Sequence, residues 1–342
     1  MEGLNHTIGN LKITGRDVEN LEEKPAAQAP PRRKQEPMIV TSDKTDTNVA
    51  LCTIFSGANV VALDLEGVDL GRLGRTSIVQ IATEEHCLLL DVLDADKDAP
   101  LMKWLRDILE DSSITKVIHD CRLASDALLH EFGIRLNGVH DTAAWHVTMT
   151  GRAEVNINET LTHNGIGVLY HHRNGSDYRN SRTNHAFWAT RPLTPEMVTW
   201  AAGDASSTFK LYAAQRTAYG TIHIAKKKLA EKLSAKYLKW AREAKVTVIS
   251  VNSSVVGRFI GRGGSNLRDI QKTTATLIKP HGSRLFERKF AVYYYDEEGL
   301  TRVRGAASGE LVCDRYGRFD RTNGGRVAKV EGRRRGRNKH GK

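Results

Sequence analysis

An α/β domain followed by a small α+β domain is the fold class that the sequence predicts, and three observations predict it. Near Ala58 a polar, Pro-rich opening gives way to closely spaced β-branched and Leu-rich runs. Those runs are followed by alternating helical and extended segments, an element order typical of a mixed sheet covered by helices. Further on, a glycine tetrad sits between two short helical stretches that are themselves flanked by strands.

Each element follows in turn. Residues 1–50 carry PAAQAPPRRKQEP and TSDKTDTN, with little apolar periodicity, and are expected to be disordered. NVVALDLE, TSIVQIAT and HCLLLDVL are three strands separated by short polar turns, and they are expected to form an antiparallel meander. LMKWLRDILED has helical spacing, SITKVIHD returns to strand, and RLASDALLHEFG is a helix closed by Gly133. A short strand near GVHDT precedes another helix, and the stretch from about Gly151 to Arg191 is polar and irregular. Thr194 as N-cap and Pro195 at the first helical position open the last helix of this domain, placed at residues 51–220.

Residues 221–245 form a basic helical linker, in which Leu229, Leu233, Tyr237 and Trp240 recur at helical spacing and mark one docked face with the lysines outward. VTVISV then begins the second domain, residues 246–312, and a basic disordered tail is expected over 313–342.

Composition narrows the function. The net charge is +11 over 342 residues. From Arg302 to the end there are 13 Lys or Arg against 4 Asp or Glu, so most of the excess lies in the tail. Concentrated positive charge favours a polyanionic partner, because each phosphate neutralised releases counterions. No apolar run long enough to span a bilayer exists and the first residues lack a signal core, so the chain is expected to be intracellular, in cytoplasm or nucleus, and not secreted. Cys52, Cys87, Cys121 and Cys313 lack C-x-x-C spacing and are read as reduced thiols, with neither a zinc site nor a disulfide framework.

The chemistry-bearing residues are few. Asp64 and Glu66 lie two apart in one strand, so both side chains leave the same face of the sheet. Two carboxylates side by side in an apolar strand repel each other and lose hydration, which a divalent cation offsets. Oxygen-only donors select Mg²⁺ or Mn²⁺, and a two-metal site of that kind activates water and stabilises the leaving oxygen in phosphodiester cleavage.

VVALDLEGVD, GRTSIVQIAT, KVIHDCRLASDALLHEFGIRL, the pair Asp141 and Thr142, and WATRPLTPEMVTWAAGD together resemble the ribonuclease D-type 3′–5′ exonucleases, over roughly Val60 to Tyr212. That resemblance implies a ribonuclease H-like fold and four acidic residues holding two metals. Asp64 and Glu66 match the first motif and Asp204 the third. At the second motif the expected aspartate position is Ala124, with Asp126 two residues later and Asp120 one turn earlier as the alternatives; Asp126 is taken as the fourth ligand and catalytic residue. Trp200 stands where this subclass has a tyrosine, one turn before Asp204. An indole N–H donates but accepts no proton, so Trp200 holds an oxygen without acting as a base.

In the second domain, Ile260, Gly261, Arg262, Gly263 and Gly264, followed by Leu267, Arg268 and Ile270, resemble a type I KH domain. A G-x-x-G loop lets a sugar-phosphate chain approach the backbone closely, and Arg262 and Arg268 add charge at the contact. The combination of the two domains resembles exonuclease-plus-KH proteins of green plants and their relatives. The implied activity is metal-dependent 3′–5′ exonucleolysis of single-stranded RNA, or single-stranded DNA, with the KH domain holding the strand. The alternative from another class is a non-catalytic RNA-binding adaptor that keeps the exonuclease fold.

Overall fold

The structure is a computed structural model that describes residues 37–40, 55, 57–152, 156–167, 186–218, 220, 224–282, 288–313 and 319–321. The Pro-rich opening and the tail beyond Arg321, both expected to be disordered, lie outside the described residues.

The first sheet contains β1 (Met38–Val40), β2 (Val60–Val68), β3 (Arg75–Ala82), β4 (Cys87–Asp91), β5 (Thr115–Ile118) and β6 (Val139–Asp141), in the order β1-β4-β3-β2-β5-β6. The meander β2-β3-β4 is antiparallel as expected, while β5 and β6 add in parallel beside β2. β1 corrects the expectation for residues 1–50, because MIV pairs in parallel with β4 and buries Val40 completely. Three residues are too short to show periodicity in the sequence.

The helices of this domain are α1 (Pro100–Glu110), α2 (Arg122–Phe132), α3 (Thr142–Thr150), α4 (Ile157–His163) and α5 (Pro195–Ala218). α4, capped by the Asn156 side chain, lies within the stretch expected to be irregular. Alternation along β2 divides the core. Leu63 and Leu65 join Val79, Ile81, Leu88 and Leu90 against α1 and α2. On the opposite face Ala62, Ile78, Ala82 and Leu89 pack against α5 through Ala201, Ala202 and Ala205, whose small side chains let the helix approach the sheet.

α6 (Ile224–Glu243), the basic helix expected to dock by one face, does so against the helices of the first domain. It packs on α2 and α3, the Ser125 hydroxyl donates to the Leu238 carbonyl at 2.8 Å, and the Arg122 guanidinium lies 4.7 Å from the centre of the Tyr237 ring. Its inward stripe is Ala230, Ser234 and Tyr237, with Leu233 and Leu238 alongside. Leu229, expected on that stripe, is 56% exposed. It lies about 100° around the helix from Ala230, so one position of register decides its face.

The second sheet has the order β7-β9-β8, all antiparallel, from β7 (Lys245–Val251), β8 (Leu277–His281) and β9 (Arg288–Tyr294). With α7 (Ser253–Ile260), α8 (Ser265–Thr274) and α9 (Glu297–Ser308), the chain order is β-α-α-β-β-α. The helices cover one face through Phe259, Ile270 and Val303, which pack with Val292 of β9. The other face carries Leu277, Ala291 and Tyr293, and packs on Leu123 of α2 and Trp240 of α6. A short hairpin, β10 (Leu311–Cys313) and β11 (Phe319–Arg321), extends into the region expected to be a disordered tail.

Candidate metal centre and nucleic-acid interface

Asp64 and Glu66 share the face of β2 that looks toward α5, as their spacing predicts, and α5 presents Asp204 to them. That helix buries Met197, Ala201, Asp204, Ala205, Thr208 and Leu211, a stripe at three- and four-residue spacing, so Asp204 is carried inward by its apolar neighbours. One oxygen from each of the three carboxylates falls within 4.8 Å of the others. Burial and the nearby Asp204 raise the Asp64 carboxyl to about 7, even though it accepts a hydrogen bond from the Leu65 amide at 2.9 Å. Glu66 is pushed well above the ordinary carboxylate range by burial and then by Asp64 and Asp204. Three converging carboxylates, of which Asp64 and Glu66 are disfavoured as anions, fit a hard divalent cation, which replaces lost hydration and neutralises their repulsion. Immediately after Glu66 the pairing register with β3 shifts, an irregularity that ends the flat part of β2 and sends the chain into the 69–74 loop.

Asp126 is not part of this cluster. Its side chain has no exposure, and it takes the Arg72 amide at 2.6 Å, Arg72 Nε at 2.8 Å and the Tyr293 hydroxyl at 3.2 Å. The expected fourth metal ligand is therefore a tie between the 69–74 loop, α2 and the KH-like sheet. Two residues turn a helix by about 200°, which carries Asp126 away from the face occupied by Ala124. Ala124 itself is 5% exposed and packs in the apolar cluster of Leu63, Leu65 and Leu128. The alternative, Asp120, sits at φ 59° and is held by Arg122 at 2.6 and 2.8 Å, which keeps its carboxyl well below the usual range despite burial. Among the described residues no other acidic side chain joins Asp64, Glu66 and Asp204. Trp200, one turn before Asp204, is half-buried and stacks on Phe187 with centroids 5.8 Å apart.

Arg72 and Tyr293 were not foreseen from sequence, and only the loop glycine beside them offers a signal. Gly71 has φ 125°, and a β-carbon there would collide with the Tyr293 hydroxyl. Further ties join the same two domains. Asp69 accepts from the Gly282 amide at 2.8 Å and faces His281 Nδ1 at 3.2 Å, and the Tyr295 hydroxyl donates to the Trp240 carbonyl at 2.9 Å.

The glycine tetrad lies between α7 and α8 as expected. Arg262, Gly263 and Gly264 form a short 3-10 turn, and Gly263 has φ 59° with open space where a β-carbon would point. Ile260 is half-buried and packs against the domain core beside Leu267. Arg262 is exposed, whereas the Arg268 guanidinium, expected at the strand, donates to the Gly263 carbonyl at 2.8 Å and so also braces the loop. Replacing Arg262 and Gly263 together by Asp is expected to weaken single-stranded RNA binding at least tenfold at moderate salt, through two added negative charges at the strand contact. Fluorescence anisotropy with a labelled oligonucleotide checks this, and unchanged affinity would remove the tetrad from the interface.

Comparisons with known proteins agree with this geometry. Residues 39–217 match the family described as 3′–5′ exonuclease, and residues 246–293 match the KH domain. The mouse (Mus musculus) "piRNA biogenesis protein EXD1" is 34% identical over 149 residues, which is 41% of this chain and 26% of that protein. The Caenorhabditis elegans "Egalitarian protein homolog" is 34% identical over 89 residues, 25% of this chain and 15% of that one. The chain thus matches a third or less of the length of these curated relatives. Trypanosoma brucei RNase D superposes with a TM-score of 0.53 at 23% identity, over 62% of this chain and 75% of that chain. Its complex with RNA U12 gives a TM-score of 0.51 at 24% identity, over 68% and 81%. By fold, motif order and the match to more than half of its length, the chain belongs to the 3′–5′ exonuclease family and carries a KH domain behind the exonuclease domain.

Proposed function

We propose that the protein is a metal-dependent 3′–5′ exonuclease acting on single-stranded RNA, with the KH domain holding the strand that enters the exonuclease domain. The observation that carries this reading is the convergence of Asp64, Glu66 and Asp204 within 4.8 Å, in surroundings that disfavour the anions of Asp64 and Glu66. These three side chains would hold the cation, of the Mg²⁺ or Mn²⁺ class. Once bound there, such a cation supplies the positive charge that lowers the cost of activating water and of expelling the leaving oxygen. Trp200 offers an N–H and no base, which predicts slower turnover than a tyrosine at that position would give. RNA is preferred over DNA because the mouse relative is described as a piRNA biogenesis protein and the T. brucei RNase D neighbour is seen with RNA U12.

The test is incubation of the full chain with 5′-labelled RNA and DNA oligomers in Mn²⁺ or in chelator. The expected result is stepwise shortening of RNA from the 3′ end, in Mn²⁺ alone. A second reading, an RNA-binding adaptor without turnover, is favoured by the capture of Asp126 and by alanine at position 124. Tight RNA binding with no shortening at any Mn²⁺ concentration selects that reading.

A further inference from the structure

At the end of the sheet opposite the carboxylates the structure holds a pocket of about 590 Å³. Its walls include the starts of β5 and β6, the end of α5 and the first turns of α6. Thr115, at the level of Val60, begins β5, so the pocket lies about 13 Å back along the sheet from Asp64. Along α5, Arg216 is about 18 Å from Asp204.

Three rings form one side. Trp145 stacks on His140 with centroids 4.5 Å apart and an interplanar angle of 23°, and Tyr212 meets the same imidazole edge-on at 4.8 Å. Burial lowers His140 to about 4, so the imidazole is neutral near pH 7 and adds no charge. Arg216 and Lys227 supply the cations. The Arg216 guanidinium donates to the Tyr212 hydroxyl at 3.1 Å, and the Lys227 ammonium donates to the Gly220 carbonyl at 2.9 Å. Glu231 is the acidic side chain in the wall, and Thr115 adds a hydroxyl.

A half-buried indole, two cations and one acceptor carboxylate in a space of this volume match a planar heterocycle joined to a phosphate. Stacking on aromatic rings is worth about 1–3 kcal/mol per base, and pockets of about 300–1,000 Å³ suit ligands of this size. We propose that this pocket binds a nucleoside monophosphate unit, with the base on Trp145, the phosphate at Arg216 and Lys227, and an amino edge of the base donating to Glu231. The unit comes either as a free mononucleotide or as one nucleotide of a bound strand. The proposal does not depend on the metal centre and holds under either reading of the protein's function.

The experiment measures binding of radiolabelled AMP, GMP, CMP and UMP to the full chain by equilibrium dialysis in chelator, which takes the carboxylate site out of play. At least one nucleotide is expected to bind with a dissociation constant under about 1 mM. Arg216→Glu combined with Lys227→Glu is expected to weaken that binding at least tenfold. Arg216 is exposed and Lys227 half-buried, so the fold is retained. Trp145→Phe, which keeps a ring, is expected to bind within a few-fold of the parent. In the Arg262→Asp, Gly263→Asp background, a short oligoadenylate that binds more tightly than AMP, and loses this advantage with the two pocket changes, assigns the pocket to a strand. Equal affinities assign it to the free nucleotide, and both outcomes support the proposal. Absence of binding overturns it, as does binding unaffected by the paired charge reversals. Displacement by inorganic phosphate as effective as by unlabelled nucleotide also overturns it, because the base would then contribute nothing.

Discussion

Replacing Asp126 by alanine is expected to destabilise the protein by about 3–5 kcal/mol, the range for breaking one half of a buried ion pair. The carboxylate has no exposure and the Arg72 side chain is 19% exposed, so removal of Asp126 takes the Asp126 counter-ion from a poorly hydrated guanidinium, which keeps its bond to the Arg242 carbonyl at 3.1 Å, and removes an acceptor from the Tyr293 hydroxyl. The loss is localised. Hydrogen exchange at β9, and at the 69–74 loop, is expected to accelerate more than exchange in β3 or β4, because the interface is lost before the exonuclease core. Adding Arg72→Ala is expected to recover part of the loss, since the second change removes the charge that Asp126 had balanced. Mn²⁺ affinity of the folded variant is expected to match that of the parent. A variant of normal stability that has lost Mn²⁺ binding would show instead that Asp126 swings to the metal, as the sequence resemblance implied.

The fate of Asp126 shows where the sequence was legible and where it was not. Asp64 and Glu66 were readable because strand alternation is a local rule, and Asp204 through the family resemblance of the motif around it, while the inward stripe that carries it is seen in the structure. The glycine tetrad was readable for a similar reason, since it is a backbone requirement written in consecutive residues. Asp126 obeys the same helical geometry, but its partners lie 54 and 167 residues away, and no local pattern announces Arg72 or Tyr293. α6 was read as a basic helix with one docked face, and Leu233, Tyr237 and Trp240 do pack inward. Ala230 and Ser234 complete that face with small side chains that carry little hydrophobic signal, while the conspicuous Leu229 points to solvent. β1 escaped because three residues in a sheet edge have no periodicity of their own. Elements were thus legible where the cause was local, and the polar ties between distant segments, such as Asp126 with Arg72 and Tyr293, were not.

Asp64→Asn is expected to produce opposite effects with and without a divalent cation. The wild-type carboxyl is raised from 3.8 to about 7, so between those values the folded state binds a proton that the unfolded state releases. Wild-type stability without metal therefore falls as pH rises through that window, and the penalty is complete above about 7. Asparagine carries no such penalty, and without metal the variant is expected to exceed wild type by about 1–3 kcal/mol at pH 8 and by little below pH 4, a range discounted for the partial exposure of the site. Mn²⁺ at 100 times its dissociation constant stabilises wild type by about 2.7 kcal/mol, whereas the variant, having lost one anionic donor of three, gains far less. The order of the two melting temperatures is thus expected to reverse on titration with Mn²⁺ at pH 8. RNA shortening by the variant is expected to fall at least 10²-fold, with binding through the KH domain retained. Reversal of stability without any wild-type shortening would identify a metal-binding adaptor. No dependence of either protein on Mn²⁺ would refute the metal centre itself, because three carboxylates within 4.8 Å repel one another and a divalent cation bound between them must offset that repulsion.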